Sequence, residues 1–142
     1  MKSVKISKEE ALAKFLECET EEINETNYCF EYGSQEYLVL TDEEAEEKTK
    51  ENILDSIWAF NKSFLDSHSE AISEIDEKTF AVIQERCESV NKAILSMIDD
   101  KEDFVSDAIS CDGRGHFLSV YDGVENEQDG YYIYRINWSL YG

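Results

Sequence analysis

Thirty-three acidic against thirteen basic side chains in 142 residues leave a formal net charge of -20, and this imbalance constrains the fold more than any motif does. Like charges repel one another in a compact state, and a magnitude of roughly 2–8 already suffices to keep a small domain soluble. The apolar residues, 42% of the chain, therefore have to build a core against that repulsion. A chain of this size buries roughly 68–70% of the surface it exposes when unfolded. Apolar positions recur along the whole length with no Pro/Gly/Ser linker, internal repeat or low-complexity run, so one domain over 1–142 is expected. No direct binding of nucleic acid is expected, because no basic stripe is present to displace counterions from phosphates.

Local pattern divides the chain into elements. Ser7-x-x-Glu10 is a capping box opening a helix with Ala11, Leu12, Phe15 and Leu16 on one face, and that helix ends near Cys18. Residues 28–32 and 36–40 are strand-like runs around Gly33-Ser34-Gln35, the pattern of a hairpin. Thr41 and Glu44 form a second capping box, and the helix behind it is expected to reach about residue 60 with Ile53, Leu54, Ile57 and Trp58 inward. A polar break follows over 61–70. Helical spacing resumes through Phe80, Ile83, Cys87, Val90, Ile94, Met97 and Ile98, as two helices meeting near Ser89. Asp100-x-x-Asp103 starts a shorter helix burying Phe104, Val105, Ala108 and Ile109. Residues 117–121 and 131–137 alternate like paired strands joined by an acidic loop over 122–130. The expected class is α+β, with two antiparallel β-hairpins, about four strands, packed with four or five helices.

The stretch CDGRGHFLSVYDG, residues 111–123, gathers a thiol, an imidazole, a guanidinium and two carboxylates among three glycines. Cys111 and His116 have the chemistry of nucleophile and base, but such a pair needs direct contact and a third group to orient the imidazole. Cys111, Asp112, His116 and Asp122 are also metal-ligand types, yet a structural zinc site wants four soft or imidazole ligands, and the other histidine, His68, lies in the distant polar break. The structural alternative accounts for every residue. Gly113 ends the preceding helix in a left-handed conformation, Gly115 and Gly123 serve turns, Asp112 and Arg114 are solvated or paired charges, and His116 is a half-buried strand residue. No catalytic residue, metal or cofactor is assigned. Cys18, Cys29, Cys87 and Cys111 are too irregularly spaced for CxxC chemistry and too few for a disulfide scaffold, so buried free thiols are expected. The start MKSVKISKEE lacks an apolar signal core, and no run nears the ~20 residues that span a bilayer. A cytoplasmic protein is expected.

Charge patterning says more. Glu43, Glu47, Glu51 and Asp55 stand at i, i+4, i+8 and i+12, one outward row at intervals of roughly 5–6 Å, close to the repeat of a phosphate strand. Further acids gather over 17–25, at Asp99, Asp100 and Asp103, and at Asp122, Glu125, Glu127 and Asp129. Averaged over about 7,500 Å² of surface, the net charge is roughly one per 380 Å², against roughly one per 100 Å² on duplex DNA. The surface resembles DNA only where the acids segregate. Against a functional row, Glu44 with Lys48 and Glu46 with Lys50 read as ordinary i,i+4 pairs, and acids in a first turn suit the helix dipole.

GRGHFLSVYDG, the acidic loop and YYIYRIN, with EYLVLTDEEAEE and SIWAFNKSFL upstream, resemble small acidic proteins of unknown function encoded by bacteriophages and other mobile elements. The resemblance covers roughly residues 36–137 and brings no catalytic residue with it. It implies a counter-defence context of the anti-CRISPR or anti-restriction kind. The expected partner is a host nucleic-acid-binding defence protein, such as a CRISPR effector or restriction enzyme, whose basic channel would meet an acidic, DNA-mimicking surface. Two other readings stay open: a small hydrolase using the loop from Cys111 to Asp122, and a phage regulatory interaction protein whose acidity serves solubility.

Overall fold

The two hairpins expected from the sequence become one five-stranded antiparallel sheet in the computed structural model, which describes residues 6–137. The α+β class holds, with eight α-helices among the described residues. The chain divides into two compact units, one made of the residues up to Thr49 together with those from Asp112 onward, the other of Lys50–Cys111.

The first unit contains the sheet. Its strands are β1 (Ile23–Glu25), β2 (Phe30–Tyr32), β3 (Gln35–Leu40), β4 (Asn126–Gln128) and β5 (Tyr131–Arg135), in the order β1-β2-β3-β5-β4. Central β3 and β5 pair Tyr37 with Arg135 through Leu40 with Tyr132. Alternation along them sorts side chains onto two faces. Tyr37, Val39, Tyr131 and Ile133 pack with Ala11 and Leu12 of helix α1 (Lys8–Leu16). Leu38 and Tyr134 pack on the other face with Ala45 and Leu118. Ala45 belongs to α2 (Asp42–Asp55) and Leu118 to α8 (Arg114–Leu118).

Residues 117–121, expected as a strand, are thus the end of α8 and the turn after it. The hairpin partner of β5, strand β4, lies instead within the expected acidic loop. Gln128 pairs with Tyr131, leaving Asp129-Gly130 as a two-residue turn with φ of 53° and 86°. Positive φ at both positions is what a type I′ hairpin requires, and Asp-Gly supplies it. The short β1 was also unforeseen in the acidic stretch over 17–25.

The second unit is helical. Beyond the end of α2 it holds α3 (Lys62–Asp66), α4 (Glu70–Ser73), α5 (Glu77–Gln84), α6 (Asn91–Ser96) and α7 (Lys101–Asp112), whose last residue lies in the first unit. The polar break is therefore two capped helices, with Asn61 accepting from Phe64 N–H and Ser69 from Ile72 N–H. Helix α2 stops at Asp55 rather than near residue 60. Asn91 explains the early stop: its amide donates to the Leu54 carbonyl at 2.8 Å and its oxygen accepts from Trp58 N–H at 3.0 Å. All four cysteines are free, but Cys29 alone is buried, Cys18 is intermediate, and Cys87 and Cys111 are exposed. No helix among the described residues is long and apolar enough to cross a membrane.

Candidate functional site

Seven acids lie on α2, and they fall into two sets. Ala45, Thr49 and Ile53 are fully buried at i, i+4 and i+8, which fixes the inward face. Glu44 folds back into the N-terminal capping box. Its carboxylate accepts from Thr41 N–H at 2.9 Å, and its own N–H donates to Thr41 Oγ1 at 3.2 Å. Lys8 Nζ lies 2.8 Å from the same carboxylate, and that bond, with the Thr41 contact, holds the Glu44 pKa below its ordinary value.

Asp42 and Glu46 meet Arg114. Its Nη1 is 2.9 Å from Asp42 Oδ1 and 3.1 Å from Glu46 Oε1, while Nε donates to Glu125 Oε1 at 2.8 Å. The guanidinium sits 4.8 Å from the centre of the Tyr132 ring, and Tyr134 donates its hydroxyl to the same Glu125 oxygen. Burial works against the Arg114 charge, but the bonds to Glu125 and Asp42 outweigh it and raise the pKa above the usual arginine value. Burial first, and then the bond to Glu125, push the Tyr134 phenol well above its ordinary value. The simple i,i+4 pairs expected with Lys48 and Lys50 missed these partners; Lys50 meets Glu102 at 2.5 Å.

Glu43, Glu47, Glu51 and Asp55 form the second set. All four are exposed, and none takes a side-chain hydrogen bond or ion pair among the described residues. The outward row expected from the sequence is in place.

Most of the other nominated acids have local work. Asp99 accepts from Glu70 N–H at 3.1 Å, and Asp100 caps α7 by accepting from Asp103 N–H at 3.1 Å. Asp122 accepts from the Ser119 hydroxyl at 2.9 Å and from Val124 N–H at 3.0 Å. Glu125 belongs to Arg114, and Asp129 lies 3.6 Å from Lys14. Asp103 and Glu127 are exposed without a side-chain partner among the described residues.

The segment over 111–123 resolves into separate local roles. Cys111 Sγ lies 4.0 Å from Asp107 Oδ1, whose other oxygen is 2.7 Å from His68 Nε2. The thiol's partner is thus a carboxylate and not an imidazole. His68 packs against Phe64, four residues before it, and against Phe104, a contact that sequence spacing could not foresee. His116 is exposed on α8, edge-on to Phe117, and is not the half-buried strand residue expected. Among the described residues no group of three or more His, Cys, Asp or Glu is placed to hold a metal ion.

Gly113 has φ 83° and ψ 157° between α7 and α8, so it takes positive φ but not the left-handed helical conformation. Gly123, at φ 70°, is a turn residue. Gly115 is not: it is buried within α8.

The fold and this surface define a strongly acidic α+β protein whose principal helix carries an unneutralised row of carboxylates. No family model, curated protein or solved structure matches the chain.

Proposed function

We propose that the chain is a counter-defence inhibitor of the phage or mobile-element kind, acting in the host cytoplasm on the basic nucleic-acid channel of a defence nuclease such as a CRISPR effector or restriction enzyme. The observation that carries this reading is the division of acids along α2. Asp42, Glu44 and Glu46 are tied to Arg114 and Lys8, which relieves repulsion within the helix. Glu43, Glu47, Glu51 and Asp55 keep their carboxylates in solvent, at a spacing of roughly 5–6 Å that a phosphate strand would also present. CRISPR effectors hold their duplexes in positively charged channels, and complementary charge accelerates the encounter. The GRGHFL, YDG and YYIYR pattern adds the phage context.

Competition tests the reading. A labelled duplex bound to purified CRISPR effectors and restriction enzymes is titrated with the chain at low and high salt, alongside capture of partners from a bacterial lysate. Displacement of DNA that weakens as salt rises is expected from at least one nuclease. A captured partner that binds DNA and the chain together, with salt-independent affinity, would favour a regulatory interaction module instead. Turnover of a small substrate by the chain alone would favour the hydrolase.

A further inference from the structure

The first two turns of α2 are held from both flanks. Their inward residues, Ala45 and Thr49, are fully buried. At about 100° per residue, Asp42 and Glu46 stand roughly 60–100° round from Ala45 on one flank, Glu44 stands roughly 100° round on the other, and Glu43 and Glu47 lie roughly 160° away, opposite the core. One cation meets each flank. Lys8, from α1, reaches Glu44 at 2.8 Å. Arg114, from α8, reaches Asp42 at 2.9 Å and Glu46 at 3.1 Å through a single nitrogen, Nη1, which also donates to the Asp42 carbonyl at 3.3 Å.

The core alone grips these turns weakly. Alanine offers one methyl, and the Thr49 hydroxyl donates back to the Ala45 carbonyl of its own helix at 2.6 Å. Side chains this small bury little area and interlock little with their neighbours. Arg114, by contrast, is itself fixed. Its side chain is only 10% exposed, and its Nε donates to Glu125 at 2.8 Å. Tyr134 of β5 donates to the same Glu125 oxygen, and the guanidinium lies over the ring of Tyr132, also of β5, at 4.8 Å. The bonds therefore run without a break from β5 through Glu125 and Arg114 to α2. A planar guanidinium presents its donors in a rigid fork, so it sets direction as well as charge, which a point cation on a flexible stem does not.

Glu43 and Glu47 have no side-chain partner among the described residues, so the direction they face follows from the rotation of the helix. We infer that Arg114 is a positioning residue for the acidic row, locking the rotation of α2 so that Glu43 and Glu47 face away from the core and toward the partner. The inference rests on the proposed reading, in which that row meets a basic nuclease channel.

The test pairs residual dipolar couplings of the full chain with displacement of a labelled duplex from a nuclease. Arg114→Met combined with Asp42→Asn and Glu46→Gln removes the flank bonds and leaves neither flank carboxylate facing a lost cation. Couplings at 42–49 should change while those of β3 and β5 stay, a split that general loss of folding would not produce. Displacement should weaken about ten-fold. Made on top of Glu43→Gln and Glu47→Gln, the same three changes should cost no more than about two-fold, because positioning acts through those two carboxylates. Arg114→Lys, which keeps the charge and loses the fork, serves if the triple variant disturbs the sheet, and should shift the couplings at 42–49 by a smaller amount. Unchanged couplings at 42–49, or an equal loss of displacement in both backgrounds, would overturn the inference and leave the row's own role standing. A parent chain that displaces no duplex from any nuclease would overturn the proposed reading, and this inference with it.

Discussion

Two glycines on either side of Arg114 do different work, and the difference is measurable. At Gly115 a Cβ would lie 2.5 Å from the Gly123 carbonyl oxygen, 2.8 Å from Glu125 N and 2.9 Å from Val124 C. These are backbone atoms, so they cannot rotate aside as a side chain would. Gly115→Ala should therefore destabilise the fold by about 1–3 kcal/mol through overpacking, and should disturb the loop that brings Glu125 to Arg114. Gly113 has nothing within 4 Å of its would-be Cβ, but its φ of 83° and ψ of 157° lie in a region that glycine alone populates readily. Gly113→Val should cost about 1–3 kcal/mol as backbone strain. Urea denaturation checks both, and an unchanged midpoint for either removes its argument. The positive φ at Gly113 was legible in the sequence because it follows from a local change of direction. The need at Gly115 was not, since it depends on a loop eight or more residues away. Arg114 was legible only as a charge able to pair, because its three carboxylates come from α2 and from the loop before β4.

Elements were readable where one short-range rule fixes their ends. The Ser7–Glu10 and Thr41–Glu44 capping boxes start α1 and α2 as their spacing predicts. Reading failed where a distant group decides. The end of α2 depends on Asn91, and α8 reads as a strand until Leu118 is seen packed with Tyr134. The second hairpin is a different case: its Asp129-Gly130 turn signal sits at the end of an acidic run over 122–129 that hides the short strand before it. The start of α2 also yields a pH prediction. Lys8 and the Thr41 N–H lower the folded-state pKa of Glu44 below its ordinary value. A depressed carboxylate stabilises fully above its unfolded value, about 4.3, and that contribution is lost as pH falls through the folded value. Glu44→Gln should therefore be less stable than the parent at pH 7, with the gap closing below about pH 4. Thr41→Ala, which removes the cap's other half, should cost about 1 kcal/mol and keep that cost when the pH is lowered to 5. Chemical denaturation across pH checks both, and a gap for Glu44→Gln that widened on acidification would refute the assignment.

For the molecule as a whole, charge acts on folding and on binding with opposite sign, and salt separates the two. Screening weakens repulsion among exposed carboxylates, with a Debye length of about 10 Å at 0.1 M, so the melting temperature should rise between 50 and roughly 500 mM salt while affinity for a basic partner falls. The row on α2 allows the same contrast by mutation. Converting Glu43, Glu47 and Glu51 to Gln and Asp55 to Asn removes four exposed charges that hold no other group in place among the described residues. Each relieved i,i+4 repulsion returns about 0.2–0.5 kcal/mol, while loss of Glu43 from the first turn gives back about 0.3–1 kcal/mol of dipole stabilisation. Stability should thus change little. Binding should not escape so lightly. A carboxylate meeting a channel arginine contributes about 1.5–3 kcal/mol as a charge-assisted hydrogen bond, so losing two such contacts would weaken affinity by at least a hundred-fold, and the salt dependence of what remains should flatten. Glu74, Glu77, Glu85 and Glu88, also exposed, provide the control: neutralising them removes the same formal charge from other helices and turns. A much larger loss from the α2 set than from the control set is the expected outcome, measured by titration against the captured nuclease. Equal losses would mean that the acids act only through the long-range field that steers encounter, and the row would then have no contact role.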